Sequence, residues 1–174
     1  MSVQLRGRLA ARGDEPLGEA CGIERAMAVV GNRVAMLLMR EAFHGASRFE
    51  SLCRRVGASE AQVAQHLKRL VAAGLLTKEP YREPGQRTRS AYVLTDAGHD
   101  LLPAVMALLD WAGEHVPTSY GATVLTHAGC GAAAHVEIRC EAGHRVREDE
   151  LVIEGPDLHP APTDRAPTPD SDQH

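Results

Sequence analysis

The chain has 174 residues, 44% hydrophobic and 24% charged, the balance of a globular domain with extensions. Aromatic residues make up only 3%, so the core must be built from Leu, Val, Ala and Met, which suits helices. A net charge of −4 excludes a protein that is basic throughout, and four cysteines are too few for a dense disulfide framework at this length.

Residues 1–20 are polar and glycine-bearing and read as a flexible N-terminal arm, with a short helical piece at 3–12. No apolar h-region stands at the start, so no signal peptide is expected. The longest apolar run, residues 34–39, is too short to cross a bilayer. These features predict a cytoplasmic protein with reduced thiols and no membrane partner. Residues 23–30 carry Ile23, Met27 and Val30 at helical spacing and end at Gly31-Asn32. Arg33–Phe43 is a second helix, apolar over most of its circumference, with Val34, Leu37, Leu38 and Glu41 along one side, and should be deeply packed. Ser47 is placed to cap a third helix at 48–56, with Glu50 at capping-box spacing. Phe49, Leu52 and Cys53 point inward there, and Arg48, Arg54 and Arg55 outward.

After the turn Gly57-Ala58 comes residues 59–73, around which the chain is organised. Ser59 is an N-cap residue, Val63, Leu67, Leu70 and Val71 form an apolar stripe, and Gly74 stops the helix. The other face holds Ala61, Gln62, Gln65, His66, Lys68 and Arg69. Amides read adenine edges, and cations read guanine or phosphate. Such a face suits DNA reading, and also an ordinary amphipathic core helix. Two short helices joined by a glycine turn make a helix-turn-helix. Leu76–Tyr81 and residues 90–94 then read as strands around Arg82–Arg89, where Pro84-Gly85 marks a turn. This hairpin is a wing, with Arg82, Arg87 and Arg89 near its tip. A helix at about 96–115 follows, whose apolar stripe (Leu101, Leu102, Val105, Leu108, Leu109, Ala112) is wide enough to need a second subunit.

Charge is distributed unevenly. Residues 33–89 hold eleven Lys and Arg against five acids, whereas residues 136–174 hold ten acids against four basic residues. A basic middle can meet phosphates whatever the net charge. Residues 117–154 read as a small β-rich extension with strand-like pieces at 136–139 and 151–153. Residues 155–174, rich in Pro and Asp, read as a disordered acidic tail. In the extension, His127-xx-Cys130 and Cys140-xxx-His144 are two donor pairs of the kind that bind one structural zinc; a small extension with reduced thiols and no cofactor fits them too. No nucleotide-binding glycine loop, Gly-x-Ser-x-Gly elbow or tight His–carboxylate cluster is present, so an enzyme is not expected.

In order and spacing, the chain resembles the HxlR family of winged helix-turn-helix regulators, relatives of the MarR group. The resemblance covers about residues 21–115. It is carried by Cys21; Gly31-Asn32-Arg33 with Leu37-Leu38-Met39-Arg40-Glu41; Arg48-Phe49-Glu50-Ser51-Leu52; Ser59, Val63, Leu67, Leu70, Gly74 and Leu75; Tyr92-Val93-Leu94-Thr95-xx-Gly98; and Trp111-Ala112. The sequence departs at Gly22, usually proline, at Val34, commonly tryptophan, and at Ala61, often a longer polar residue, so a shared operator is not implied. The resemblance implies an α+β, mostly helical winged helix-turn-helix over residues 21–116, ending in a dimerisation helix. It implies a homodimer on a pseudo-palindromic stretch of double-stranded DNA. Ser59, Gln62, Gln65 and His66 are then expected near base edges, and Arg48, Lys68, Arg69, Arg87 and Arg89 on the backbone. It also implies oxidant or electrophile sensing at Cys21, which stands before a helix N-terminus; a small packed residue explains Cys21 as well. The competing function is a winged-helix protein-interaction module without sequence-specific DNA binding.

Overall fold

A computed structural model describes residues 2–14, 16–85, 87–121 and 123–155. In chain order the elements are β1 (Gln4–Arg6), α1 (Gly7–Ala10), α2 (Gly22–Val30), α3 (Arg33–Phe43), α4 (Phe49–Val56), α5 (Glu60–Ala72), β2 (Leu76–Tyr81), β3 (Arg89–Leu94), α6 (Asp96–Asp100), α7 (Leu102–His115) and β4 (Val152–Glu154). They fall into two compact units: Cys21–Ile138, and the two chain ends, up to Ala20 and from Arg139 on.

In the Cys21–Ile138 unit the core forms around α3. Leu38 and Met39 of α3, Leu52 of α4, and Val63, Leu67 and Leu70 of α5 are all essentially sealed from water. Each such leucine contributes about 1.5–3 kcal/mol of transfer free energy, so the stripe that ran along 59–73 is what fixes α5 in place. Asn32 caps α3 by accepting a hydrogen bond from Val34 N at 2.8 Å. Gly57, with φ 65°, and Gly74, with φ 74°, supply the left-handed turns that end α4 and follow α5. β2 and β3 pair antiparallel from Leu76↔Leu94 to Tyr81↔Arg89.

Three expectations are corrected in this unit. The third helix starts at Phe49, not Arg48, and Ser47 does not cap it. The Ser47 carbonyl instead accepts Tyr92 N at 2.8 Å, and Arg48 bridges Ala91, so residues 47 and 48 add a stub of strand to β3. The expected long helix at 96–115 is two helices meeting at Leu101. Pro103 sits in the first turn of α7 and has no N–H to continue the ladder from α6. No strand forms at 136–139; Arg139, the first residue of the other unit's C-terminal part, makes only an isolated bridge with Arg145.

In the other unit, β1 and β4 pair as a two-stranded parallel sheet, Gln4↔Val152 to Arg6↔Glu154. The stretch expected as a free arm is thus paired, because its Gln4 N–H finds the Leu151 carbonyl at 2.8 Å. The expected extension at 117–154 is divided, its first part belonging with α2–α7 and its last part with the N-terminal residues. Gly155 is the last residue described, so the remainder of the expected acidic tail lies outside the described residues. Among the described residues, no helix is long and apolar enough to cross a membrane.

Candidate nucleic-acid interface

α5 presents the candidate reading face. Ser59 caps it and Gln62 completes the capping box: Ser59 Oγ accepts Gln62 N at 3.3 Å, and Gln62 Oε1 accepts Ser59 N at 3.3 Å. Both side chains are exposed, but the Gln62 carbonyl oxygen is spent on the cap. Gln65, Lys68 and Arg69 are exposed as expected. Gln65 and Lys68 project opposite the buried stripe, at roughly 100° per residue from Val63 and Leu67. His66 does not join them. It is only 8% exposed, because it stands three residues after Val63 and four before Leu70 and so lies on the stripe itself. Its removal from the base-reading set follows from helical period alone.

The β2–β3 hairpin stands next to this face in the chain, joined to α5 through Gly74 and Leu75. Arg87 and Arg89 are exposed on it, and Arg48 is exposed at the start of α4. The arginines are not equivalent. Arg48 Nη1 lies 2.6 Å from Glu83 Oε1, and Arg89 Nη1 lies 2.5 Å from Glu50 Oε1. The Arg48 guanidinium also sits 5.0 Å from the centre of the Tyr81 ring. Among the described residues, Lys68, Arg69 and Arg87 have no carboxylate at ion-pair distance.

Behind the interface, Glu41 is 5% exposed and locks α3 to α4. Arg40 Nε and Nη2 reach its Oε1 at 2.9 and 2.6 Å, and Arg55 Nη1 reaches Oε2 at 3.4 Å. Burial pushes the Glu41 carboxyl up, but the hydrogen bond and charge of Arg40, with Arg55 and His44 adding, outweigh it and hold the group below its ordinary value. A carboxylate depressed in the folded state stabilises the fold above its unfolded pKa. That stability is lost as pH falls through the lower, folded value. Glu41→Gln should therefore cost about 2 kcal/mol at neutral pH, less than the ~3–5 kcal/mol of a fully buried broken pair because both arginines reach water. The deficit should shrink in urea melts as the pH falls below the ordinary glutamate range. A deficit that stays constant down to acid pH would refute the lock.

Cys21 is half-buried at the N-cap position of α2, and no side chain caps that end. Cys53 packs against the core, and burial, helped by Glu60 and Glu50, pushes its thiol up and keeps it protonated. The four candidate zinc ligands are exposed but closed in separate turns. His127 Nδ1 lies 3.2 Å from Cys130 Sγ, while Cys140 N donates to the His144 carbonyl at 3.1 Å. Among the described residues no group of three or more His, Cys, Asp or Glu is placed to hold a metal; His127 and Cys130 belong to the Cys21–Ile138 unit, and Cys140 and His144 to the other.

Comparison with known proteins agrees with this geometry. Residues 29–120 match the family described as HxlR-like helix-turn-helix. An uncharacterized HTH-type transcriptional regulator of Mycobacterium tuberculosis H37Rv is 37% identical over 124 residues, covering 71% of this chain and 76% of that protein. The crystal structure of PA1607, described as a putative transcription factor, superposes with a TM-score of 0.64 at 26% identity, over 75% of this chain and 92% of that one. The structure of PA1374 from Pseudomonas aeruginosa, likewise described as a putative transcription factor, gives 0.52 at 28% identity, over 72% and 86%. A helix-turn-helix with an outward amide-and-cation face beside a cationic hairpin, in a chain with these relatives, is a DNA-binding transcriptional regulator and not an enzyme: the chain belongs to the HxlR-like helix-turn-helix family.

Proposed function

We propose that the chain acts as a homodimer on a pseudo-palindromic operator, with α5 of each protomer in a major groove and the β2–β3 hairpin on the flanking backbone. The observation that carries this reading is the outer face of α5, where Gln65, Lys68 and Arg69 are exposed and opposite a sealed stripe. Gln65 takes the base-edge role, with Ser59 and Gln62 holding the helix entry. Lys68, Arg69 and Arg87 contact phosphates, joined by Arg48 and Arg89. The dimer is supported by α7, which buries only Val105 and leaves Leu108 at 51% and Trp111 at 57% exposed. Two such units would place their recognition helices about one DNA turn, roughly 34 Å, apart. Cys21 is the proposed oxidant- or electrophile-responsive group, since its thiol stands at an uncapped helix N-terminus while Cys53 is held protonated by burial.

The test is binding to duplexes from upstream of the protein's own gene, followed by anisotropy across salt concentrations. Gln65→Ala should cut discrimination between operator and random duplex by about tenfold. Arg87→Ala should weaken every duplex alike and lower the salt slope by about one. Alkylation should change operator affinity in the wild type and not in Cys21→Ser. Binding that shows no sequence preference and vanishes at moderate salt would favour the protein-interaction module instead, and alkylation without effect would remove the sensor.

A further inference from the structure

The hairpin and the first helix of the helix-turn-helix are joined by a crossed pair of ion pairs. Arg48, at the start of α4, reaches Glu83 of the hairpin loop, and Arg89 of β3 reaches back to Glu50 in the first turn of α4. The four side chains border an open groove of about 330 Å³. Their backbone is held by the Arg48–Ala91 bridge and the Tyr92 N to Ser47 O hydrogen bond, so the juxtaposition is built into the sheet. As a quartet the groups carry no net charge. The arginine count over residues 33–89 thus overstates what a passing duplex meets. Lys68, Arg69 and Arg87 present open positive charge, and Arg48 and Arg89 do not.

We propose that Glu50 and Glu83 are specificity-determining residues: they withhold Arg89 and Arg48 from DNA until a duplex that fits α5 draws the hairpin in and its phosphates replace the two carboxylates. This rests on the DNA-binding reading above. All four side chains are between 38% and 56% exposed, so each pair is water-screened and weak enough for a phosphate to displace. A duplex without the base contacts leaves the pairs closed and gains nothing from these two cations. A fitted duplex exchanges carboxylate for phosphate and gains both. The acids therefore lower affinity for bulk DNA more than affinity for the operator, which is how a repulsive element raises selectivity.

The experiment measures binding of full-length wild type, Glu50→Gln, Glu83→Gln and the double variant to a random-sequence duplex and to an operator recovered by selection. Each freed arginine should steepen the salt slope on random duplex by about 0.9 and raise that affinity about fivefold at roughly 0.15 M salt, giving about twenty-five-fold in the double variant. Operator affinity should change by less than about threefold on the same counterion argument, since both cations already contact phosphate there. Exchanging the partners, with Glu50→Arg and Arg89→Glu together, re-forms a neutral pair and should leave random binding near wild type, which a fold defect would not mimic. Random-duplex affinity that is unchanged or weaker in the double variant overturns the proposal. A wild type that binds no duplex would instead sink the DNA-binding reading.

Discussion

Gly98→Ala is expected to destabilise the Cys21–Ile138 unit by about 3 kcal/mol, near the upper end of overpacking costs. A Cβ at this position would overlap the Leu75 carbonyl oxygen and stand 3.1 Å from Leu94 Cδ2. The Leu75 carbonyl cannot retreat. The Leu75 carbonyl accepts Thr95 N at 3.2 Å, and Thr95 Oγ1 both accepts Gly98 N at 3.1 Å and donates to the Gly74 carbonyl at 2.5 Å. Thr95 and Gly98 thus pin the start of α6 to the turn that ends α5. Gly22→Ala is the control, because the nearest atom to its added methyl is 3.9 Å away. Urea melts should show a large loss for Gly98→Ala and almost none for Gly22→Ala; equal midpoints in the two would show that the close approach carries no weight.

The paired substitution Leu108→Glu with Trp111→Glu should convert the proposed dimer to monomer and weaken operator binding by about 100-fold or more. Both side chains are more than half exposed on α7, so the unit should keep its fold while the apolar face is lost. Two linked reading heads bind with an avidity gain of roughly 10²–10⁴, and a lone head forfeits it. Sedimentation and operator titration read the two consequences separately. A variant that stays dimeric, or a wild type that is monomeric at binding concentrations, would move the subunit contact elsewhere.

Much of the helix-turn-helix was legible in the residues. Leu67 and Leu70 at helical spacing, Ser59 before them and Gly74 after them place α5 to within one residue. Arg33–Phe43 and Leu76–Tyr81 match their observed bounds. His66 is expected on the outer face for its polarity, but the fold buries it on the stripe, where helical position outweighs residue type. Ser47 misled because its spacing to Glu50 is a capping box on paper. In the fold both groups are claimed by the hairpin, Ser47 through its carbonyl and Glu50 through Arg89. Local signals are silent about partners forty residues away.

By itself, the sequence determined where α3, α5 and β2 run and stop, and that a basic middle stands beside an acidic end, because period, caps and glycines act within a few residues. The tertiary structure alone decided which charges are open. Arg48, Arg87 and Arg89 look alike in the chain, yet pairing across α4 and the hairpin neutralises two of them. It also paired the N-terminal residues with β4. Ion pairs and strand pairs between distant residues depend on how the backbone brings the elements together, and spacing along the chain carries no record of that.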